Sequence, residues 1–353
     1  MPDQRTDTRV IDSLLALTLD YRGADMADAI FGSNYFYYML KEQVGAFRSQ
    51  DGGAFYREPI MYGVNSTAKW YSGYDIIDTT PQDPFTDLLY PWCELAASVS
   101  ISRAEERKNS GRARLLPFLE KLINNAEMTL IEVFAEALMG TGKYNINQTT
   151  KEMAGLRSLV PEDPTAYDAG GLDGDKSWWQ NKVKGNGGST FTWIADLGDT
   201  PAVATGHKAL IRLYNNCKKG PGGPPDIGVS GQYTYEMYEA GLLPHKRLQN
   251  DEVARADFDN IKFRKLTWSW DEWCCSASIT KSQAATTHTC MYMLNSKFLE
   301  VIYDAESLFT HTGFVKPDNQ TAKVAQIVFM GMLVVTNRRK QGILVDANVT
   351  DIE

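Results

Sequence analysis

The run Phe55-Tyr56-Arg57-Glu58-Pro59-Ile60-Met61-Tyr62 opens a stretch that closes at Ala96-Ala97-Ser98-Val99-Ser100-Ile101-Ser102, and its reading decides the fold. The segment from Tyr56 to Tyr62 reads as an extended strand. Gly63, Asn65, Gly73, Pro81 and Pro84 follow too closely for a helix. Ala96 to Ser102 alternates like a second strand, so Tyr56 to Ser102 is expected to form a two-stranded extended loop. An excursion of about forty residues with so little core of its own needs another surface to lie on. In a subunit that joins others, such a segment grips the neighbour.

Directly after it comes the strongest periodic segment, Arg103 to Met139. Leu115, Leu119, Leu122, Ala126, Leu130, Val133 and Ala137 recur at three- and four-residue steps, the spacing of one helix face. Phe118, Ile123, Phe134 and Leu138 widen the stripe, and Gly140 stands where a C-terminal cap belongs. Asn109-Ser110-Gly111 interrupts the start. The main helix is expected from Ala113 to Leu138, roughly 39 Å long at the α-helical rise. Leu119, Leu122, Ala126, Leu130 and Val133 are expected to be its buried face, packed on the C-terminal strands.

Outward from this pair, Val10 to Leu19 and Asn34 to Phe47 read as helices, with Gly52-Gly53 releasing the chain. Tyr144 to Thr200 is turn-rich. A helix enters at Asp199-Thr200-Pro201 and runs to Tyr214, and a second spans Gln232 to Leu242. Strands are expected at Asp226 to Val229, Ile261 to Trp270, Cys290 to Leu294, Val324 to Val335 and Gly342 to Val345. Helices and strands segregate, which makes the fold class α+β with one long helix.

Composition narrows the class. The chain has 353 residues, 43% hydrophobic and 23% charged, which is ordinary globular usage. A net charge of −8 and a pI near 5.2 argue against a dedicated nucleic-acid binder. Cys93, Cys217, Cys274, Cys275 and Cys290 are odd in number and lack CxxC spacing, so reduced thiols are expected and a zinc site is not. Met1-Pro2-Asp3-Gln4-Arg5 opens polar, without a signal core. The longest apolar run near the C-terminus, Ile327 to Val335, is about half of what a membrane helix needs. The expectation is a soluble protein made in the cytoplasm.

No catalytic constellation emerges. Gly140-Thr141-Gly142-Lys143 lacks the earlier glycine of a phosphate loop, where Ala137 stands, and Tyr144 replaces the required hydroxyl. Ser278-Ile279-Thr280-Lys281 matches a serine-lysine pattern without companion motifs. His207, His245, His288 and His311 do not pair at metal spacing. Glu105-Glu106 and Asp271-Glu272 offer carboxylates that a glycosidase could use, and Trp70, Trp92, Trp178, Trp179, Trp193, Trp268, Trp270 and Trp273 could line a sugar groove. Structural or interface use explains the tryptophans better. No catalytic residue, cofactor or metal is expected.

Several segments in order resemble the major capsid proteins of tailed bacteriophages, the Hong Kong-97-type fold. Asn65 to Gly73 followed by Trp92 to Glu105, with Val99-Ser100-Ile101-Ser102, Glu105-Glu106, Asn109 and Gly111, is similar to that family's extended loop and its return strand. Arg112 to Gly140 resembles its spine helix. Gly170-Gly171-Leu172-Asp173 followed by Trp178-Trp179-Gln180-Asn181-Lys182-Val183 resembles a segment frequent in one capsid subgroup. Pro225-Asp226-Ile227 leading to Tyr233, Tyr235, Tyr238 and Glu239 is similar to that subgroup's axial-domain helix. Met291 to Leu299 and Gly331 to Gly342 resemble the closing strands. The likeness runs from about Gly32 to Asn348, most of the chain.

The resemblance implies a division into residues 1–53 (N-terminal arm and helices), 54–102 (extended loop), 103–160 (peripheral domain with spine helix), 161–290 (axial domain) and 291–353 (return to the peripheral domain). It implies a shell subunit, not an enzyme, with Tyr62, Lys69, Trp70, Tyr71 and Trp92 contacting a neighbour through the extended loop. Its partners would be copies of itself in hexamers and pentamers, a separate scaffolding protein, a portal protein, a decoration protein in some shells, and packaged DNA against the inner wall without sequence-specific binding. The location would be the virion, after assembly in the host cytoplasm. Some family members join a loop lysine to a neighbour's asparagine. Lys69 and Asn348 are the residues available here, and a solvated or salt-bridging Lys69 is the expected reading. A cellular nanocompartment of the same fold and a carbohydrate-active enzyme are the competing readings.

Overall fold

The computed structural model describes residues 34–43, 45–103, 112–140, 142, 151–185, 191, 205–242, 261–274, 289–317 and 321–346. The expected helix from Val10 to Leu19, the Ser278–Lys281 match, His245, His288, Trp193 and Asn348 lie outside them.

The first helical element, α1 (Tyr35–Tyr38), passes into a π-turn at Met39–Gln43. Asn34 caps it, its side-chain oxygen accepting from the Tyr37 amide at 3.0 Å. The helix expected to reach Phe47 stops earlier. Gly45 takes φ +60°, the left-handed conformation that ends a helix, and Phe47 already belongs to strand β1 (Phe47–Ser49). Next come β2 (Phe55–Met61), β3 (Phe85–Pro91), β4 (Cys93–Ser102), α2 (Arg112–Met139), α3 (Leu156–Leu159), β5 (Lys182–Lys184), α4 (Thr205–Lys218), β6 (Ile227–Ser230) and α5 (Gln232–Leu242). The remaining strands are β7 (Ile261–Phe263), β8 (Leu266–Trp270), β9 (Thr289–Leu294), β10 (Leu299–Tyr303), β11 (Thr310–Val315), β12 (Ala322–Val335) and β13 (Gly342–Asp346).

Three sheets form among the described residues. In the first, β12 is the central member. One edge pairs with β4 over its first ten residues, Ala322↔Ser102 to Gly331↔Cys93. The other edge pairs with β11 and then with β10, which carries β1 in parallel. The second sheet has the order β5-β13-β9-β6-β8-β7. It draws strands from both sides of residue 290, since β9 pairs with β13. The third is the β2–β3 ribbon alone.

That ribbon corrects one expectation. The strand that returns beside β2 is Phe85–Pro91, in register Tyr56↔Tyr90, and not Ala96 to Ser102. Ala96 to Ser102 belongs to β4, antiparallel to β12.

The core follows strand alternation. In β9, Met291 and Met293 face α4 and α5, where Leu210, Leu213, Tyr238 and Trp268 pack. Cys290, Tyr292 and Leu294 face the opposite way, into a larger core shared with α1, α2 and the first sheet. Burial on both faces explains why all six residues of β9 read as a continuous buried run.

The buried face of α2 is rotated from the expected one. Ile123, Leu130, Phe134 and Leu138 are buried, Leu122 and Ala126 are half-buried, and Val133 is 39% exposed. Phe134 takes the inward position, edge-on to Tyr37, Phe309 and Phe329 at centroid distances of 5.5, 5.8 and 5.0 Å. The side chain of Leu119 lies outside the described residues. Of the thiols, Cys93, Cys217 and Cys274 are free, whereas Cys290 is disulfide-bonded, contrary to the expectation of reduced cysteines throughout.

Candidate assembly surface

Residues 62–84 leave the ribbon as a loop held by its own polar contacts. The Tyr62 and Gly63 amides both donate to the Pro84 carbonyl, at 2.9 and 3.3 Å. Ser66 Oγ donates to Gln82 Oε1 at 3.0 Å. Lys69 Nζ donates to the Ile76 carbonyl at 2.9 Å, so this lysine is engaged within its own loop.

No core forms beneath these contacts. Trp70 and Tyr74 are fully exposed, Val64 is 91% and Ile76 88% exposed, and Tyr71 and Ile77 also face solvent. Single exposed apolar residues are ordinary on a protein surface; here they are gathered in one segment, as an apolar surface that the chain itself leaves uncovered.

The loop is exposed, but its root is locked. Leu88 and Tyr90 on β3 are fully buried. The Leu89 amide donates to the Gly170 carbonyl at 3.0 Å. Gly170 takes φ +63°, and a Cβ there would sit 2.8 Å from Leu88 Cδ2 and 3.1 Å from the Tyr90 hydroxyl oxygen. Only glycine fits between the turn and the ribbon. This gives the Gly170-Gly171-Leu172-Asp173 segment a role that sequence reading did not assign: it clamps the ribbon.

The clamp is itself secured. Trp179 Nε1 donates to the Ala169 carbonyl at 3.1 Å, and Trp178 stacks on Tyr62 with centroids 4.7 Å apart. The buried Arg338 donates from Nε to the Leu159 carbonyl at 2.8 Å and from Nη1 to the Tyr167 carbonyl at 3.1 Å. Burial pushes its pKa down to about 10.

Of the five residues expected to meet a neighbour, Trp70 and Tyr71 point outward on the loop. Tyr62 and Trp92 are engaged by their own chain, Trp92 donating from Nε1 to the Gly53 carbonyl at 2.8 Å. The described tryptophans do not share one groove. Trp268 is buried on Ser230 Oγ at 2.8 Å, in the second sheet and away from Trp178 at the ribbon root. Asp271 is buried while Glu272 is exposed, so this carboxylate pair does not converge across a cleft. His207 lies against the Tyr238 ring at 5.0 Å.

No family model and no curated protein matches the sequence. Solved structures do match the fold. The chain is similar to the capsid of cyanophage A-1(L), with a TM-score of 0.59, 12% identity, and coverage of 89% of this chain and 92% of that one. The chain has the fold of tailed-phage major capsid proteins. The capsid of Myoviridae phage XM1 shares it at a TM-score of 0.50 and 13% identity, over 87% and 92% of the two chains. So does the encapsulin of Synechococcus elongatus, at 0.50 and 9% identity, over 88% and 90%. The fold is thus shared by phage capsids and an encapsulin, and the mixed α+β architecture described above is its form in this chain.

Proposed function

We propose that this chain is a major capsid protein, a non-catalytic subunit that assembles with copies of itself into the icosahedral shell enclosing phage double-stranded DNA. The observation that carries this reading is the rooted ribbon: a locked base presenting an apolar loop that its own chain leaves uncovered. Closing a shell requires each subunit to bury a large area against several neighbours, and long loops supply that area with few residues. In the family's terms, α2 is the spine helix of a peripheral domain with the first sheet, residues 54–102 include the extended loop, and the second sheet with α4 and α5 forms the axial domain. Trp70 and Tyr71 are the loop's outward contacts. The acidic balance suits a wall that faces DNA without trapping it by phosphate contacts. Scaffolding, portal and decoration proteins are the partners this reading names, and the virion is its location.

The test replaces Val64–Asp83 with a short Asn-Gly turn. The purified chain should give pentamers, hexamers or megadalton particles by light scattering and negative-stain microscopy. The shortened chain should stay folded but fail to close shells. A persistently monomeric full chain, or normal shells without the loop, overturns the reading. Shells that form in cells around protein cargo and never package DNA would assign the chain to a bacterial compartment instead.

A further inference from the structure

The ribbon root borders a groove of about 270 Å³ whose walls include Met61, Tyr62, Trp178, Lys219, Arg339 and Lys340. Lys340 is used inside the fold, its Nζ donating to the Lys219 and Gly220 carbonyls at 2.8 and 3.0 Å. Lys219 and Arg339 stand exposed at the rim. Lys182 lies close enough that both act on it as like charges, and burial together with these cations holds its amine below the usual lysine pKa. Lys176 approaches the Trp178 ring from solvent, 6.0 Å from its centroid. Among the described residues, none of Lys182, Lys219 and Arg339 has an acidic partner within ion-pair distance. Like charges crowded in this way favour an anion supplied from outside the chain.

The loop carries the complementary chemistry. Between Val64 and Asp83 it holds Asp75, Asp78 and Asp83 against Lys69 alone. Two of these carboxylates are fixed in tight turns. Asp75 Oδ2 accepts from the Ser72 amide at 2.8 Å, and Asp78 Oδ1 accepts from the amide and hydroxyl of Thr80 at 3.0 and 2.6 Å. The second oxygen of each is left for another donor. Beside them are the uncovered Trp70, Tyr74 and Ile76, which match the aromatic and apolar wall of Met61, Tyr62 and Trp178. The loop does not cover its own groove, because its tip stays exposed.

We propose that the acidic, aromatic loop tip of one copy seats in the basic groove at the ribbon root of the next. This rests on the shell reading and names the surface that receives the loop. The contact joins two different surfaces, so repeated head to tail it closes a ring of subunits.

Charge reversal tests it in the full chain. Lys219→Glu with Arg339→Glu should lower the yield of capsomers and shells by about tenfold or more, because like charges facing across an interface are strongly unfavourable. Asp75→Lys with Asp78→Lys should do the same, and all four reversals together should restore assembly. Thermal melting of the dissociated chains should be unchanged, as all four positions are exposed; if a reversal melts early, Lys219→Gln with Arg339→Gln replaces it, with a smaller expected loss. Normal assembly of the groove variant, or no recovery in the fourfold variant, overturns the proposal. If the loop-deleted chain still fails to assemble in that case, the shell reading stands and the loop grips elsewhere. Shells of normal yield that lose bound nucleic acid would assign the groove to phosphate, and the proposal fails.

Discussion

The Tyr90 hydroxyl donates to the Val335 carbonyl at 2.9 Å and accepts from the Val335 amide at 3.3 Å, across 245 positions of sequence. One side chain of the ribbon thus satisfies both backbone groups at the end of β12. The link is buried, and it fixes the direction in which the loop leaves the body.

Tyr90→Phe keeps the ring and removes the bond. Both Val335 groups then lose a partner in a dry site, so a loss of about 1–3 kcal/mol is expected. Urea denaturation of the dissociated chain reads this directly. An unshifted midpoint would mean that Val335 finds other partners.

The rotated face of α2 can be tested at two adjacent positions. Phe134→Ala should cost about 3–5 kcal/mol, since it empties the space among Tyr37, Phe309 and Phe329. Val133→Ala should change stability by under about 0.5 kcal/mol. The reverse ranking would restore Val133 to the core.

Asp271 gives a pH signature. Burial raises its carboxyl above the ordinary carboxylate range, and Glu272 adds to this, while the amides of Trp273 and Phe36 pull the other way. The native state therefore binds this proton more tightly than the unfolded chain. The group's stabilising contribution is complete below the unfolded value of about 3.9 and is lost as pH rises through the raised folded value. Asp271→Asn should gain stability relative to the parent at about pH 8 and lose that advantage near about pH 4. Denaturation midpoints across that range decide it, and a constant difference would refute the shift.

Much of this architecture is visible in the residue pattern, and the gaps have physical causes. The period of α2 and the apolar runs of β9, β12 and β13 are strong because packing repeats along each element. The phase of α2 was missed because both Val133 and Phe134 fit a helical stripe, and only the aromatic cluster selects between them. β3 escaped notice because Pro84 and Pro91 frame it as a turn. Pro59, opposite Asp87 in β2, is tolerated because this pair lies two places from Arg57↔Leu89, where the Leu89 amide points away from β2. β11 was missed because Thr-His-Thr-Gly carries little apolar signal and forms one edge of its sheet. The basic groove left only two charge runs, Lys218-Lys219 and Arg338-Arg339-Lys340, with nothing to show that they meet.

The long reach of β12 also orders events during synthesis. β4 acquires its partner only when Ala322 to Gly331 has been made, and Tyr90 acquires its partner only at Val335. A ribosome-bound chain therefore holds its ribbon against the Gly170 turn alone until Val335 has been made. The direction in which the loop leaves the body is therefore completed only once β12 has been made as far as Val335.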